Sequence, residues 1–206
     1  MLFSEMGLLP ELVAAVEAKG YTKPSPIQAR SIPAVLEGRD VLGGAQTGTG
    51  KTAAFSLPML QILSKSGFKG QNKRPRALVL APTRELAAQV HQSILDYGKG
   101  MNMRSAVIFG GVGFQPQINL LRRGLDIIVA TPGRCQRGDA QLSGIEMLVL
   151  DEADRMLDMG FIHDIKKILQ LIPEKRQNLF FSATYSKDVK KLADSMLNNP
   201  VEVEVA

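Results

Sequence analysis

The sequence predicts a single α/β domain: a largely parallel sheet of about seven strands with helices on both faces. Three observations carry this. Short apolar, β-rich runs alternate with longer amphipathic segments along the chain, the rhythm of strand–helix–strand units. Strand candidates such as Ala77-Leu78-Val79-Leu80 are continuously apolar rather than alternating, so both of their faces are expected to be buried. A length of 206 residues suits one domain with a large core.

The elements follow in order. Ser25 is placed to cap a helix over Pro26–Leu36, with proline at the first helical position and Gly38 just past the end. A strand near Asp40–Leu42 leads to a helix over Lys51–Leu63. Then come strand Ala77–Ala81, helix Arg84–Lys99, strand Ala106–Phe109, helix Phe114–Arg123 and strand Asp126–Ala130. Strand Met147–Leu150 precedes helix Phe161–Leu171. Strand Asn178–Ser182, helix Ser186–Leu197 and strand Val201–Val205 complete the pattern. Pro33 and Pro58 fall inside helices, so a kink or break is expected at each. Gly67 to Pro75 is basic, contains glycine and lacks periodicity, as a surface loop does. The chain has no internal repeat and no low-complexity tract.

Composition narrows the function classes. At 45% hydrophobic and 22% charged residues the chain reads as an ordinary globular protein. No apolar run approaches the roughly 18 residues of a membrane span. Met1 to Gly7 carries Glu5 and no basic n-region, so no signal peptide is expected. Cys135 stands alone, which excludes an internal disulfide and points to a reducing cytoplasm. His91 and His163 have no cysteine partners, so no zinc site is expected. A net charge of +5 and a pI near 9.4 mildly favour a polyanionic partner. Tryptophan is absent, so contact with a nucleic acid is expected to use backbone and sugar rather than a large stacking platform.

Two segments carry chemistry. Ala45-Gln46-Thr47-Gly48-Thr49-Gly50-Lys51-Thr52 has the spacing of a phosphate-cradling loop, with alanine in place of the first glycine. Gly48 and Gly50 let the backbone curl so that N–H groups converge on a phosphate, and the helix beginning near Lys51 adds the positive end of its dipole. Lys51 is expected to reach the β- and γ-phosphates, and the Thr52 hydroxyl to ligate Mg²⁺. Downstream, the apolar run Met147–Leu150 stops at Asp151-Glu152-Ala153-Asp154, as when a buried strand delivers carboxylates to the rim of a sheet. Asp151 is the expected metal acid, directly or through water. Glu152 is the expected general base, orienting the attacking water. Alone, each segment has a plainer reading, a glycine-rich turn or a solvated acidic turn; together they point to a nucleoside triphosphate with Mg²⁺.

These segments, with others in the same order, resemble the first RecA-like domain of DEAD-box RNA helicases, and the chain looks closest to the bacterial RhlE type. The likeness runs from Phe3 and Gly20-Tyr21-Thr22-Lys23-Pro24-Ser25-Pro26-Ile27-Gln28, which is similar to an adenine-reading Q motif, through the phosphate loop. It continues through Pro82-Thr83-Arg84-Glu85-Leu86, Gly110-Gly111, Thr131-Pro132-Gly133-Arg134, Asp151–Asp154 and Ser182-Ala183-Thr184. Each tripeptide is weak; all of them in order are specific. The resemblance implies residues 1–38 as a Q-motif segment and 39–206 as the phosphate-loop core, with ATP and Mg²⁺ as cofactors. A glutamine amide matches the donor and acceptor of adenine but not the paired acceptors of guanine, so Gln28 is expected to select ATP. Tyr21 is placed to stack on the base, and Phe3 to pack.

The resemblance also implies an RNA surface at Thr83, Arg84, Gly110, Gly111, Thr131 and Arg134, holding the backbone largely without regard to sequence. For Arg84 and Arg134 a structural salt bridge with Glu85 or Asp154 remains an alternative, and Arg155 is open to three readings, as facing RNA, solvent or another domain. Ser182 and Thr184 are expected to couple nucleotide state to the RNA-bound form, with Asp154 as the acceptor; capping of the helix near Ser186 is compatible with this. The family's second RecA-like domain, with its arginine fingers, is expected to be a partner. Since such a finger is worth about 10³–10⁵ in kcat, these residues alone are expected to bind nucleotide weakly and hydrolyse it near background. One departure stands out: Cys135-Gln136-Arg137-Gly138-Asp139-Ala140-Gln141 is polar and short where the family continues with an apolar helical segment, which puts the placement of Arg134 in question. The functional expectation is the ATP- and RNA-binding part of an ATP-dependent RNA helicase. The alternatives are a non-catalytic ATP-gated RNA-binding or regulatory module and an ATPase acting on DNA or protein.

Overall fold

The computed structural model describes residues 1–46, 48, 50–65, 74–108, 124–135 and 142–204, leaving aside the side chains of 134 and 135. Among the described residues seven strands form one sheet: β1 (Val41–Gly44), β2 (Ala77–Leu80), β3 (Ser105–Ile108), β4 (Ile127–Ala130), β5 (Met147–Leu150), β6 (Gln177–Ser182) and β7 (Val201–Val203). Their order is β3-β4-β2-β5-β6-β1-β7, and every neighbouring pair is parallel. Among the described residues the helices are α1 (Pro10–Ala18), α2 (Pro26–Leu36), α3 (Lys51–Lys65), α4 (Arg84–Tyr97), α5 (Pro132–Cys135), α6 (Ala153–Asp158), α7 (Ile162–Leu171) and α8 (Lys187–Met196).

The pleat sorts each strand between two cores. Val79, Val129, Val149, Leu179 and Phe181 face one side and pack with α1 to α4, through residues such as Leu12, Ile32, Phe55 and Ile94. Leu78, Leu80, Ile128, Leu148, Leu150 and Phe180 face the other and pack with α6 to α8, through Met156, Ile165, Ile168 and Leu192. Burial on both faces is the physical reason these strands are continuously apolar. The expected helix Phe114–Arg123 lies outside the described residues, as does the polar run Gln136–Gln141. Among the described residues, no helix is long and apolar enough to cross a membrane.

Several boundaries differ from the sequence expectation, each for a physical reason. β1 begins after Asp40 and runs on through Gly43 and Gly44. A Cβ on Gly43 would lie 2.6 Å from the Phe181 ring, so glycine admits that neighbour here instead of breaking the strand. Asp40 is buried and acts as an acceptor: its carboxylate takes the Asn178 N–H at 2.8 Å, the Asn178 side-chain amide at 3.3 Å and the Asn198 N–H at 2.8 Å. It thereby ties the start of β1 to β6 and to the turn before β7. No break occurs at the two prolines. α2 passes through Pro33 and α3 through Pro58, each losing one backbone bond while the two helices pack closely along their length. The short helices α1, α5 and α6 were not expected. Buried Gln61 holds the segment ahead of α1, accepting from Leu9 N–H at 2.7 Å and donating to the Gly7 carbonyl at 2.8 Å. Phe3 is a core residue.

Replacing Asp40 with alanine is expected to destabilise the chain by about 3 kcal/mol, because three bonds are lost and two buried donors are stranded. Urea unfolding of the variant and the parent measures the difference.

Candidate functional site

Every strand is parallel, so the loops that follow them gather at one edge, where α/β sheets hold their ligands. The register aligns Gly44 with Ser182, and Leu150 with both Leu80 and Phe180. The phosphate loop, the acidic run and the Ser-Ala-Thr run therefore leave neighbouring strands nearly level.

At this edge lies a cleft of about 410 Å³, in the usual range for a small-molecule site. Of the residues singled out in the sequence, Tyr21, Gln28, Gly48, Gly50, Lys51, Thr52, Asp151 and Glu152 all line it. Ala45 lies buried at the end of β1, its N–H bonded to the Ser182 carbonyl at 3.1 Å. It is not among the residues with positive φ, whereas Gly48 and Gly50 have φ of +87° and +83°; alanine thus replaces the first glycine of the loop pattern without backbone strain. Gln46 is exposed beside it, and Thr47 and Thr49 lie outside the described residues.

Lys51 opens α3 and is 6% exposed. Its Nζ lies 3.1 Å from Asp151 Oδ1 and 3.4 Å from Glu152 Oε2. Both oxygens have the lysine as charge partner, yet neither gains a well-directed hydrogen bond among the described residues. Burial pushes the Asp151 carboxyl above its ordinary range, and the charge of Lys51 only partly offsets this. Glu152 caps α6 with φ of 57° and ψ of 55°, a left-handed conformation that costs a residue with a Cβ about 1–2 kcal/mol. Such strain gathers at functional sites.

Gln28 serves the local fold as well. Its Oε1 accepts the Ser25 N–H at 2.9 Å while Ser25 Oγ accepts the Gln28 N–H at 3.4 Å, a capping box at the start of α2. Its Nε2 donates to the Gly50 carbonyl at 3.1 Å. The amide keeps a second N–H and a second lone pair. Tyr21 is 47% exposed on the cleft wall.

Asp154 and the Ser-Ala-Thr run meet. Thr184 donates to Asp154 Oδ2 from Oγ1 at 2.9 Å and from its N–H at 3.1 Å. Ser182 takes a different part from the one expected: its hydroxyl accepts the Asp154 N–H at 3.2 Å and donates to the Thr184 carbonyl at 2.7 Å. Burial raises the Asp154 carboxyl, but bonds from Thr184, Arg155 and Ser182 outweigh it, so the group sits below its ordinary value. Ser186 caps α8, accepting the Val189 N–H at 3.3 Å.

Among the described residues, Thr83, Arg84 and Thr131 do not line the cleft. Thr83 follows β2 and Thr131 follows β4. The Thr83 hydroxyl accepts the Leu86 N–H at 3.2 Å and caps α4, and Thr131 is largely buried. Arg84 is exposed at the start of α4. Gly110, Gly111 and the Arg134 side chain lie outside the described residues. Arg155 Nη1 stands 3.9 Å from Glu152 Oε1. Sequence reasoning missed one wall of the cleft: Gln89, Ser93 and Tyr97 of α4 line it, and their spacing of four places them on one helical face. Lys19, also missed, lies 3.0 Å from Asp96 and 4.7 Å above the Tyr97 ring.

A family model described as DEAD/DEAH box helicase matches residues 25–192. The chain belongs to the DEAD/DEAH box helicase family. An ATP-dependent RNA helicase DeaD from Buchnera aphidicola (subsp. Schizaphis graminum) is 47% identical over 98% of this chain and 34% of its own length. The DeaD helicase of Escherichia coli K12 is also 47% identical, over 98% and 32%. An ATP-dependent RNA helicase RhlB from Xanthomonas oryzae pv. oryzae is 45% identical over 98% and 37%. The chain thus spans about a third of the curated relatives it matches. Two helicase types match almost equally, so these comparisons establish the DEAD/DEAH box family and not a type within it. A crystal structure of a DEAD box protein from the hyperthermophile Methanococcus jannaschii shares the fold, with a TM-score of 0.90 and 36% identity over 98% of this chain and 55% of that one. The seven-stranded parallel sheet is therefore the RecA-like domain of this family.

Two outcomes test the geometry. Glycine relieves the left-handed backbone at position 152, so Glu152→Gly is expected to be more stable than Glu152→Ala by about 1 kcal/mol, read from urea denaturation. The stability Asp154 contributes is present in full above the unfolded carboxylate range and is lost as pH falls through the lowered folded value. Amide exchange at Thr184 should therefore stay protected at the ordinary aspartate value of 3.8 and open below it, while Asp154→Asn removes that dependence.

Proposed function

We propose that the chain is the ATP-binding and RNA-binding part of an ATP-dependent RNA helicase that remodels RNA duplexes. The observation that carries this is Lys51, buried between Asp151 and Glu152 in a cleft that also holds Tyr21 and Gln28. A phosphate tail entering the cleft gives the ammonium a second anionic partner and draws it from the carboxylates. Glu152 is then free to accept a proton from a water aimed at the terminal phosphate. Gln28 keeps one donor and one acceptor position, the pair adenine requires, and exposed Tyr21 is placed to stack on the base.

The residues fit a Mg²⁺ ion. Asp151 Oδ1 is a buried oxygen without a hydrogen-bond partner among the described residues, and Thr52 lines the same cleft. Mg²⁺ is commonly held by one or two carboxylates together with phosphate oxygens. The Thr52 hydroxyl and Asp151, directly or through water, would hold it, and it would supply positive charge against the phosphates.

RNA is assigned to the loops after β2, β3 and β4, with Thr83, Arg84, Gly110, Gly111, Thr131 and Arg134 meeting its backbone. Asp154, Ser182 and Thr184 form the relay between nucleotide and RNA. A second RecA-like domain, supplying arginine to the phosphates, is the partner that makes hydrolysis fast; without it these residues hydrolyse ATP near background.

Fluorescent-nucleotide titration is expected to show ATP bound more tightly than GTP, with Lys51→Ala weakening ATP at least tenfold. Joined to a second RecA-like domain, the chain should hydrolyse ATP faster with single-stranded RNA than with DNA. Glu152→Gln should keep the binding and lower hydrolysis about 10²–10⁴-fold. Hydrolysis undiminished by Glu152→Gln would remove Glu152 from the role of base, and no RNA-stimulated hydrolysis in the joined protein would favour the non-catalytic reading instead.

A further inference from the structure

Tyr185, the residue after the Ser-Ala-Thr run, has no place in the relay as described, yet it makes a specific contact. Its half-buried hydroxyl donates to the Gly43 carbonyl at 2.7 Å, and its ring packs 6.5 Å from that of Phe180. Gly43 lies in β1, paired with Phe181 of β6 and Val203 of β7, two residues before Ala45 begins the phosphate-loop sequence. The Phe181 ring fills the space a side chain at 43 would need. The strand is therefore held on its flank by that ring and at its carbonyl by Tyr185.

Adjacent residues thus reach in two directions. Thr184 is bonded twice to Asp154 at the start of α6, while Tyr185 is bonded to the strand that leads into the phosphate loop. A shift of Thr184 carries the Tyr185 backbone with it, and the only polar contact of the tyrosine among the described residues is Gly43. Burial, with the charges of Asp154 and Glu202, raises the pKa of the phenol, so it remains a neutral donor at physiological pH.

We propose that the Tyr185 hydroxyl is a positioning group that fixes the phosphate-loop strand to the Asp154–Thr184 relay, so that the state of the relay is felt at the phosphates. This rests on the reading of the cleft as a nucleotide site. Tyr185 touches no substrate in this role; it acts through Gly43.

The test is Tyr185→Phe, which keeps the ring and removes one hydroxyl, compared with Thr184→Val and with the double variant. Two readouts are taken on each: fluorescent ATP affinity, and amide exchange over residues 41–46 without nucleotide. The expected result is about fivefold weaker ATP binding in Tyr185→Phe, the scale of one lost hydrogen bond, and faster exchange over 41–46. The double variant should lose less than the product of the single losses, because both act along one connection. Unchanged affinity and exchange in Tyr185→Phe, or losses that simply multiply, would overturn the proposal. A parent chain that binds no ATP would instead overturn the nucleotide reading, and the exchange readout would still decide whether Tyr185 holds the strand.

Discussion

The site depends on one buried charge cluster: a lysine ammonium between two carboxylates at the edge of a parallel sheet. Burying charges is costly unless they are paired. Lys51, Asp151 and Glu152 are all largely removed from water, and each exists in that place because the others do. The cluster is made by register. β1 and β5 are separated in the sheet by β6 alone, so the residues that follow them converge. The backbone strain at Glu152 belongs to the same arrangement, since the turn that aims Glu152 at Lys51 is left-handed.

The strand order also divides the edge of the sheet. β3, β4 and β2 lie together on one side, and β5, β6, β1 and β7 on the other. The nucleotide residues follow β1 and β5, apart from Tyr21 and Gln28, which reach the cleft from the segment around the start of α2. The residues assigned to RNA follow β2, β3 and β4. With nucleotide and RNA placed as proposed, two ligands sit on adjoining halves of one edge, and the halves meet between β2 and β5. Asp154 follows β5 and Thr184 follows β6, and the two residues are bonded to one another.

Much of this was legible in the sequence, for identifiable reasons. The central strands β2, β4 and β5 were placed within a few residues because burial on both faces makes them continuously apolar. The cap at Ser25 and the start of α3 at Lys51 were visible as local chemistry. α1 was missed because its buried face is little more than Leu12 and Val16, too short a stripe to announce a helix. α6 was hidden under the acidic run that contains its first turn. The prolines do not break α2 or α3; propensity counts the lost bond and not the packing of α2 on α3. The positive φ of Glu152 has no sequence mark, since glutamate seldom adopts it. The double duty of Gln28 did have one: Ser25-x-x-Gln28 is the capping-box pattern, overlooked because the same residue already had a role.

The most direct measurement is a crystal structure of the chain with Mg²⁺ and a non-hydrolysable ATP analogue. The phosphates are expected in the loop from Ala45 to Thr52, with Lys51 Nζ moved from Asp151 and Glu152 to the phosphate oxygens and adenine against Tyr21 and Gln28. An analogue bound elsewhere, or Lys51 still paired with both carboxylates while the analogue occupies the cleft, would contradict this.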